Sequence, residues 1–145
     1  MEISFYQTAE GTLISSIIRL LEKIYTSGQR CIFFSPLEER VKIIDKTLWT
    51  FSTDSFIPHG DRSLGFPEKQ PIYFTSQPEN PNNAQILMLV DTFEYKGHAD
   101  FEKIIFIFEN KQQEENALAL YNDLKKNKEN VNYWKRSPQG WEKQI

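Results

Sequence analysis

Three short segments, Cys31-Ile32-Phe33-Phe34, Gln85–Val90 and Lys103–Phe108, are apolar almost without interruption. A strand wetted on one face alternates apolar with polar residues, whereas a strand covered on both faces has no reason to. Segments of this length, rich in Ile and Phe, predict the interior of a sheet with helices above and below it. The helices are legible too. From Leu13 to Tyr25, residues Ile14, Ile17, Ile18, Leu21, Ile24 and Tyr25 fall on one helical stripe, and Gly28 stands where a C-cap belongs. Ser35-Pro36-Leu37-Glu38 supplies a capping hydroxyl, a Pro at the first helical position and a Glu at the third. The helix it opens turns Val41, Ile44 and Leu48 inward and ends near Trp49. A third helix spans roughly 111–127, with Ala117, Leu120, Tyr121 and Leu124 on one face.

Strands are expected near 3–7, 30–34, 72–75, 85–90, 103–108 and 131–134. Residues 52–70 read as loop, and turns fall at Pro78–Asn83 and Ser137-Pro138-Gln139-Gly140. The order implies one α/β domain over 1–145, with a mostly parallel central sheet and helices on both faces. At 145 residues such a domain buries about two thirds of its unfolded surface and needs no staple. Cys31, the only cysteine, lies inside an apolar run and reads as a buried structural thiol. No apolar run approaches a membrane span, and no basic leader precedes an apolar segment at the N-terminus, so a cytoplasmic protein is expected.

The architecture invites a nucleotide-binding hypothesis, but the residues for a nucleotide site are missing. The first strand-to-helix connection reads Gln7-Thr8-Ala9-Glu10-Gly11-Thr12, with neither a glycine-rich turn nor a Lys-Ser/Thr pair. Asp91 closes an apolar strand, as a magnesium-holding Asp does in P-loop enzymes, yet it has no phosphate cradle to serve. His59 and His98 are the only histidines, too few with one Cys for a zinc pattern and without a nucleophile beside them. No catalytic residue, cofactor site or metal site emerges.

Aromatic residues in polar, turn-prone segments stand out instead. One passage runs Thr47-Leu48-Trp49-Thr50-Phe51 and then Ser55-Phe56-Ile57-Pro58-His59; the other holds Tyr133-Trp134-Lys135 and Gly140-Trp141-Glu142. Such rings either close the ends of a core or anchor an interface. Charge is uneven as well. Residues 125–143 hold six basic side chains against two acidic ones, so they carry +4 in a chain of net −3. That stretch reads as a solvated helix end or as a docking site for an acidic peptide.

On these passages the chain resembles the chi-subunit family of the bacterial DNA polymerase III holoenzyme. The likeness starts at the Phe5-Tyr6 strand and the Ser27-Gly28-Gln29-Arg30 turn. It continues through Asp45-Lys46-Thr47-Leu48-Trp49 and closes at the terminal Tyr-Trp and Gly-Trp-Glu. Leu-Trp followed by Ser-Phe-Ile-Pro-His is its most specific part. The resemblance implies a non-catalytic accessory protein of the clamp-loader assembly, with a nucleotide-binding-like fold and no nucleotide site. It also implies two partners, a psi-type subunit and the acidic C-terminal tail of single-stranded DNA-binding protein, with a helicase as an alternative partner. By position, Phe56 with Ile57 and His59 faces the psi-type subunit, and Trp49 and Tyr121 belong to the tail surface. The family usually has Arg three residues before that second aromatic and a basic residue just after it, where this chain has Leu118 and Asn122. Lys125, Lys126 and Lys128 are then the cations available, and one shallow site of Trp49, Tyr121 and these lysines is expected. Two other readings stay open: a degenerate nucleotide-binding or helicase-like protein, and a direct single-stranded DNA binder using stacked aromatics and the basic C-terminal stretch. Net acidity argues against the second, so little direct nucleic-acid binding is expected.

Overall fold

The computed structural model describes residues 1–50, 59–60, 70–94, 100–109 and 113–144, with the backbone alone at positions 49, 59 and 60. Its elements in chain order are β1 (Glu2–Thr8), α1 (Leu13–Thr26), β2 (Cys31–Phe34), α2 (Glu38–Thr50), β3 (His59–Gly60) and β4 (Ile72–Thr75). They continue with β5 (Ile86–Leu89), β6 (Lys103–Glu109), α3 (Glu114–Lys126), β7 (Asn130–Ser137) and β8 (Gly140–Gln144). The strands form one eight-stranded sheet in the order β3-β4-β2-β5-β6-β1-β7-β8. Every pairing is parallel except β7 with β8.

The continuous apolar runs are the middle of that sheet, and alternation divides their side chains between two cores. Cys31 and Phe33 of β2 join Phe74, Met88, Ile105 and Ile107 beneath α1 and α2. Ile32 and Phe34 join Tyr73, Leu87, Leu89, Ile104 and Phe106 on the opposite face, with Ala117 and Tyr121 of α3. Each large apolar side chain fully buried this way contributes about 1.5–3 kcal/mol. α1 needs little help from its ends, since Ile17, Ile18 and Leu21 are completely buried. It stops at Gly28, whose φ of 81° only a residue without Cβ adopts at no cost. At the start of α2 the Ser35 hydroxyl accepts the Leu37 N–H at 3.1 Å, two residues on.

The structure departs from the sequence reading at the sheet's two ends. β3 sits inside the span read as loop, where its two residues pair with Ile72 and Tyr73. At the other end β7 runs to Ser137, and β8 adds an antiparallel strand beyond the expected turn. The two-residue connection is held by Ser137, whose hydroxyl donates to the Gly140 carbonyl at 3.1 Å and accepts the Gln139 N–H at 3.3 Å.

Candidate protein-interaction surfaces

A sheet of this kind binds ligands beyond the carboxyl ends of its parallel strands. Here those ends are engaged by the protein's own groups. In the turn after β1, the Gly11 amide donates to the Glu109 carboxylate at the end of β6. A fixed negative charge therefore sits where a phosphate would lie. Beyond β5, Asp91 accepts Arg40 Nε at 3.0 Å, Arg40 Nη2 at 3.2 Å and the Ser35 hydroxyl at 2.8 Å. Its backbone holds φ at 68°, so the carboxylate is fixed by a bidentate cation and a tight turn together.

The residues expected to form one acidic-tail site are not brought together. α2, which carries position 49, packs on one face of the sheet, and α3, which carries Tyr121, packs on the other. Their neighbouring strands are also apart: α2 lies over β4 and α3 over β1 and β7. From β4 to β1 is four strand steps, about 19 Å at about 4.8 Å each. Tyr121 itself is core, only 7% exposed, with its ring edge-on to Phe5 and Tyr133 at 5.9 and 5.4 Å. The side chain of Trp49 lies outside the described residues, as do Phe56 and Ile57 entirely. His59 contributes backbone to β3, at the edge of the sheet.

What α3 does assemble with the sheet is an apolar pocket of about 140 Å³. Ile3, Leu89, Ile104 and Phe106 form its floor on the sheet, and Leu120, Leu124 and Phe93 form its walls. Lys125 and Lys126 occupy the last turn of the helix, where its dipole favours positive charge. Lys125 Nζ lies 3.5 Å from the Tyr121 hydroxyl and 5.6 Å from its ring centroid. Lys128 follows with φ at 59°, a left-handed cap that closes the helix by donating its N–H to the Lys125 carbonyl at 3.0 Å. The three lysines thus follow one another at the end of the helix that supplies Leu120 and Leu124 to the pocket. Leu120 and Leu124 were visible on the stripe of the third helix, but nothing in the sequence joined them to Phe93 and the strand residues.

A second aromatic surface lies on the α1 side of β1, β7 and β8. Trp134 stacks on Tyr6 with centroids 6.4 Å apart, and Trp141 meets Tyr6 edge-on at 5.2 Å. The Arg136 guanidinium lies 5.6 Å from the Trp141 centroid, and Lys143 Nζ lies 6.0 Å from that of Trp134. Burial, and then the charge of Glu2, raise the Tyr6 phenol above its ordinary range. On the opposite face Tyr133 donates to Gln7 Oε1, and burial, with a smaller push from Glu114, raises its phenol well above the usual range.

A family model described as the DNA polymerase III chi subunit, HolC, matches residues 1–131. A Rickettsia prowazekii (strain Madrid E) protein described as a probable DNA polymerase III subunit chi is 37% identical over 89 residues, which cover 61% of this chain. The matched stretch spans about half of that relative, 54% of its length. Apart from its first residues, the β7–β8 hairpin lies beyond the span that the family model matches.

Proposed function

The chain belongs to the DNA polymerase III chi subunit family, and from that membership we propose a non-catalytic bridge in the cytoplasmic replication machinery. In this reading it joins a psi-type subunit of the clamp loader to the acidic C-terminal tail of single-stranded DNA-binding protein. The observation that carries the reading is the apolar pocket beside the lysine-bearing end of α3. An acidic tail ending in an aromatic residue needs a dry slot for the ring and a cation for the terminal carboxylate. The pocket is close in size to the cavity of about 150 Å³ known to accept benzene, so a phenyl ring fits. Lys125, Lys126 and Lys128 supply the charge, as flexible point cations rather than a planar fork, which gives modest and salt-sensitive affinity. Trp49 and Tyr121 are assigned to this contact by resemblance, and the helices that carry positions 49 and 121 pack on opposite faces of the sheet. Tyr121 supports the pocket from inside the core, and Leu120, Leu124 and Phe93 take over as its walls.

The test is fluorescence anisotropy with a labelled acidic peptide ending in Pro-Phe, at low and high salt. Saturable binding is expected at low salt, weakened at least tenfold by Lys125→Gln, Lys126→Gln and Lys128→Gln together, and by Leu120→Glu. Absence of binding at low salt, or binding indifferent to both variants, rejects the site. For the psi-type partner, Phe56 with Ile57 and His59 remains the proposed anchor, leading into β3 at the far edge of the sheet. Phe56→Ala is expected to weaken partner binding by about 2 kcal/mol while leaving the circular dichroism and melting of the subunit unchanged.

A further inference from the structure

The β7–β8 hairpin is absorbed by neither partner reading, and its face toward α1 reopens the single-stranded DNA reading against which net acidity argued. In the antiparallel register Trp134 is directly opposite Lys143, and Arg136 directly opposite Trp141. Residues directly opposite share a face, and so do residues two apart along a strand. The result is a checkerboard in which each indole neighbours a cation across the strands, with Tyr6 of β1 stacked beside it. Trp134, Trp141 and Tyr6 are only partly covered, and Arg136 and Lys143 are exposed. Glu2, whose charge acts on Tyr6, is engaged by Lys103 at 3.7 Å and by Asn132 Nδ2 at 3.5 Å. Glu142 pairs in register with Lys135 and so points to the other face.

We propose that this face is a stacking platform for single-stranded nucleic acid. A strand of unpaired nucleotides repeats a flat aromatic base and a negative phosphate, and the checkerboard offers a flat ring and a positive charge in the same alternation. A helix or globular partner would call for a continuous apolar patch, which the interleaved cations interrupt. A sheet surface of this width holds about two or three bases. Arg136 and Lys143, now resting over the indoles, turn to phosphates or stack on bases when a strand lies across them. This inference does not rest on the tail-binding reading, because α3 and its lysines stand on the opposite face.

The probe is a short fluorescein-labelled oligothymidylate, read by anisotropy and by quenching of tryptophan emission, with a duplex of equal length as control. Saturable single-strand binding is expected at low salt, with a log–log salt slope near about −1.4 for two phosphate contacts. Arg136→Gln with Lys143→Gln is expected to abolish measurable binding. Trp141→Leu, which keeps apolar packing, is expected to weaken binding about tenfold. Substituting all three α3 lysines by Gln should change the affinity less than twofold at 0.1 M salt. No saturable binding at low salt, equal binding of duplex, loss through the α3 variant rather than the hairpin variants, or displacement of the oligonucleotide by the Pro-Phe peptide would each overturn the proposal.

Discussion

Lys128 holds a left-handed backbone, φ 59°, that costs a residue bearing a Cβ about 1–2 kcal/mol. Glycine is the usual occupant of such a cap, and its extra unfolded-state entropy offsets only about 0.5–1 kcal/mol. Lys128→Gly is therefore expected to stabilise the fold by up to about 1 kcal/mol in urea titration, while weakening the acidic peptide. A cap that also weakened the fold would show that the lysine is there for structure. Cys31 tests a different balance. It has no exposed surface, and burial pushes its thiol well above the ordinary range, so disulfide-exchange reagents should label it only after unfolding. Tyr133 and Tyr6 are shifted the same way, upward in the folded state. A raised folded pKa gives stability that is complete below the unfolded value and lost as pH climbs past it. Stability to denaturant should accordingly hold to about pH 9 and then fall. Cys31→Ala should remove the first part of that fall and leave the part above 10 that belongs to the tyrosines. The buried thiol was legible from one Cys in an apolar run. The strained cap was not, because a lysine sequence carries no sign of positive φ.

Among the elements, those with a strong pattern were legible and those held by partners were not. α1, β2, β5 and β6 follow from uninterrupted apolar runs and a clear helical stripe. β8 escapes the sequence because Trp141-Glu142-Lys143-Gln144 has weak strand propensity, and its stability comes from rings and cations on β7 across the register. β3 escapes for a related reason, since a two-residue strand exists only through its pairing with β4. The hairpin therefore makes a specific claim about energetics. Trp141→Ala removes the edge-on contact with Tyr6 and the cover of Arg136, and is expected to cost about 1–2 kcal/mol, less than the 3–5 kcal/mol of a fully buried Trp. Amide hydrogen exchange should show the loss of protection confined to β7 and β8. A global loss of protection would mean that the hairpin belongs to the core of the fold.

The whole molecule explains why one expected site became two faces. Parallel strands are joined by right-handed crossovers, so the direction of travel along the sheet decides which face a helix takes. From β1 the chain moves toward the β3 edge through α1 and α2, and from β6 it moves the other way through α3. The first two helices therefore share one face, and α3 has the other. Sequence gives the helical stripes but not this reversal, so residues 49 and 121 looked like neighbours. Such a reversal opens a crevice at the carboxyl edge, but here Glu109 takes the Gly11 amide and Arg40 takes Asp91, and calorimetry with ATP is expected to show no heat of binding. It also makes the proposed surfaces independent. The α3 pocket and the hairpin platform lie on opposite sides of a sheet whose layers alone separate them by about 10 Å, one Debye length at 0.1 M salt. No side chain that lines the α3 pocket belongs to the hairpin platform, so electrostatic repulsion is the link expected between the two ligands. Saturating the α3 pocket with the Pro-Phe peptide should then change the oligonucleotide dissociation constant less than twofold at 0.1 M salt. Lowering the salt should bring out mild mutual weakening, since two anionic ligands repel through a thinner screen. Strong competition at both salts would mean that the two ligands share one basic surface, and that the separation of faces does not organise recognition in this protein.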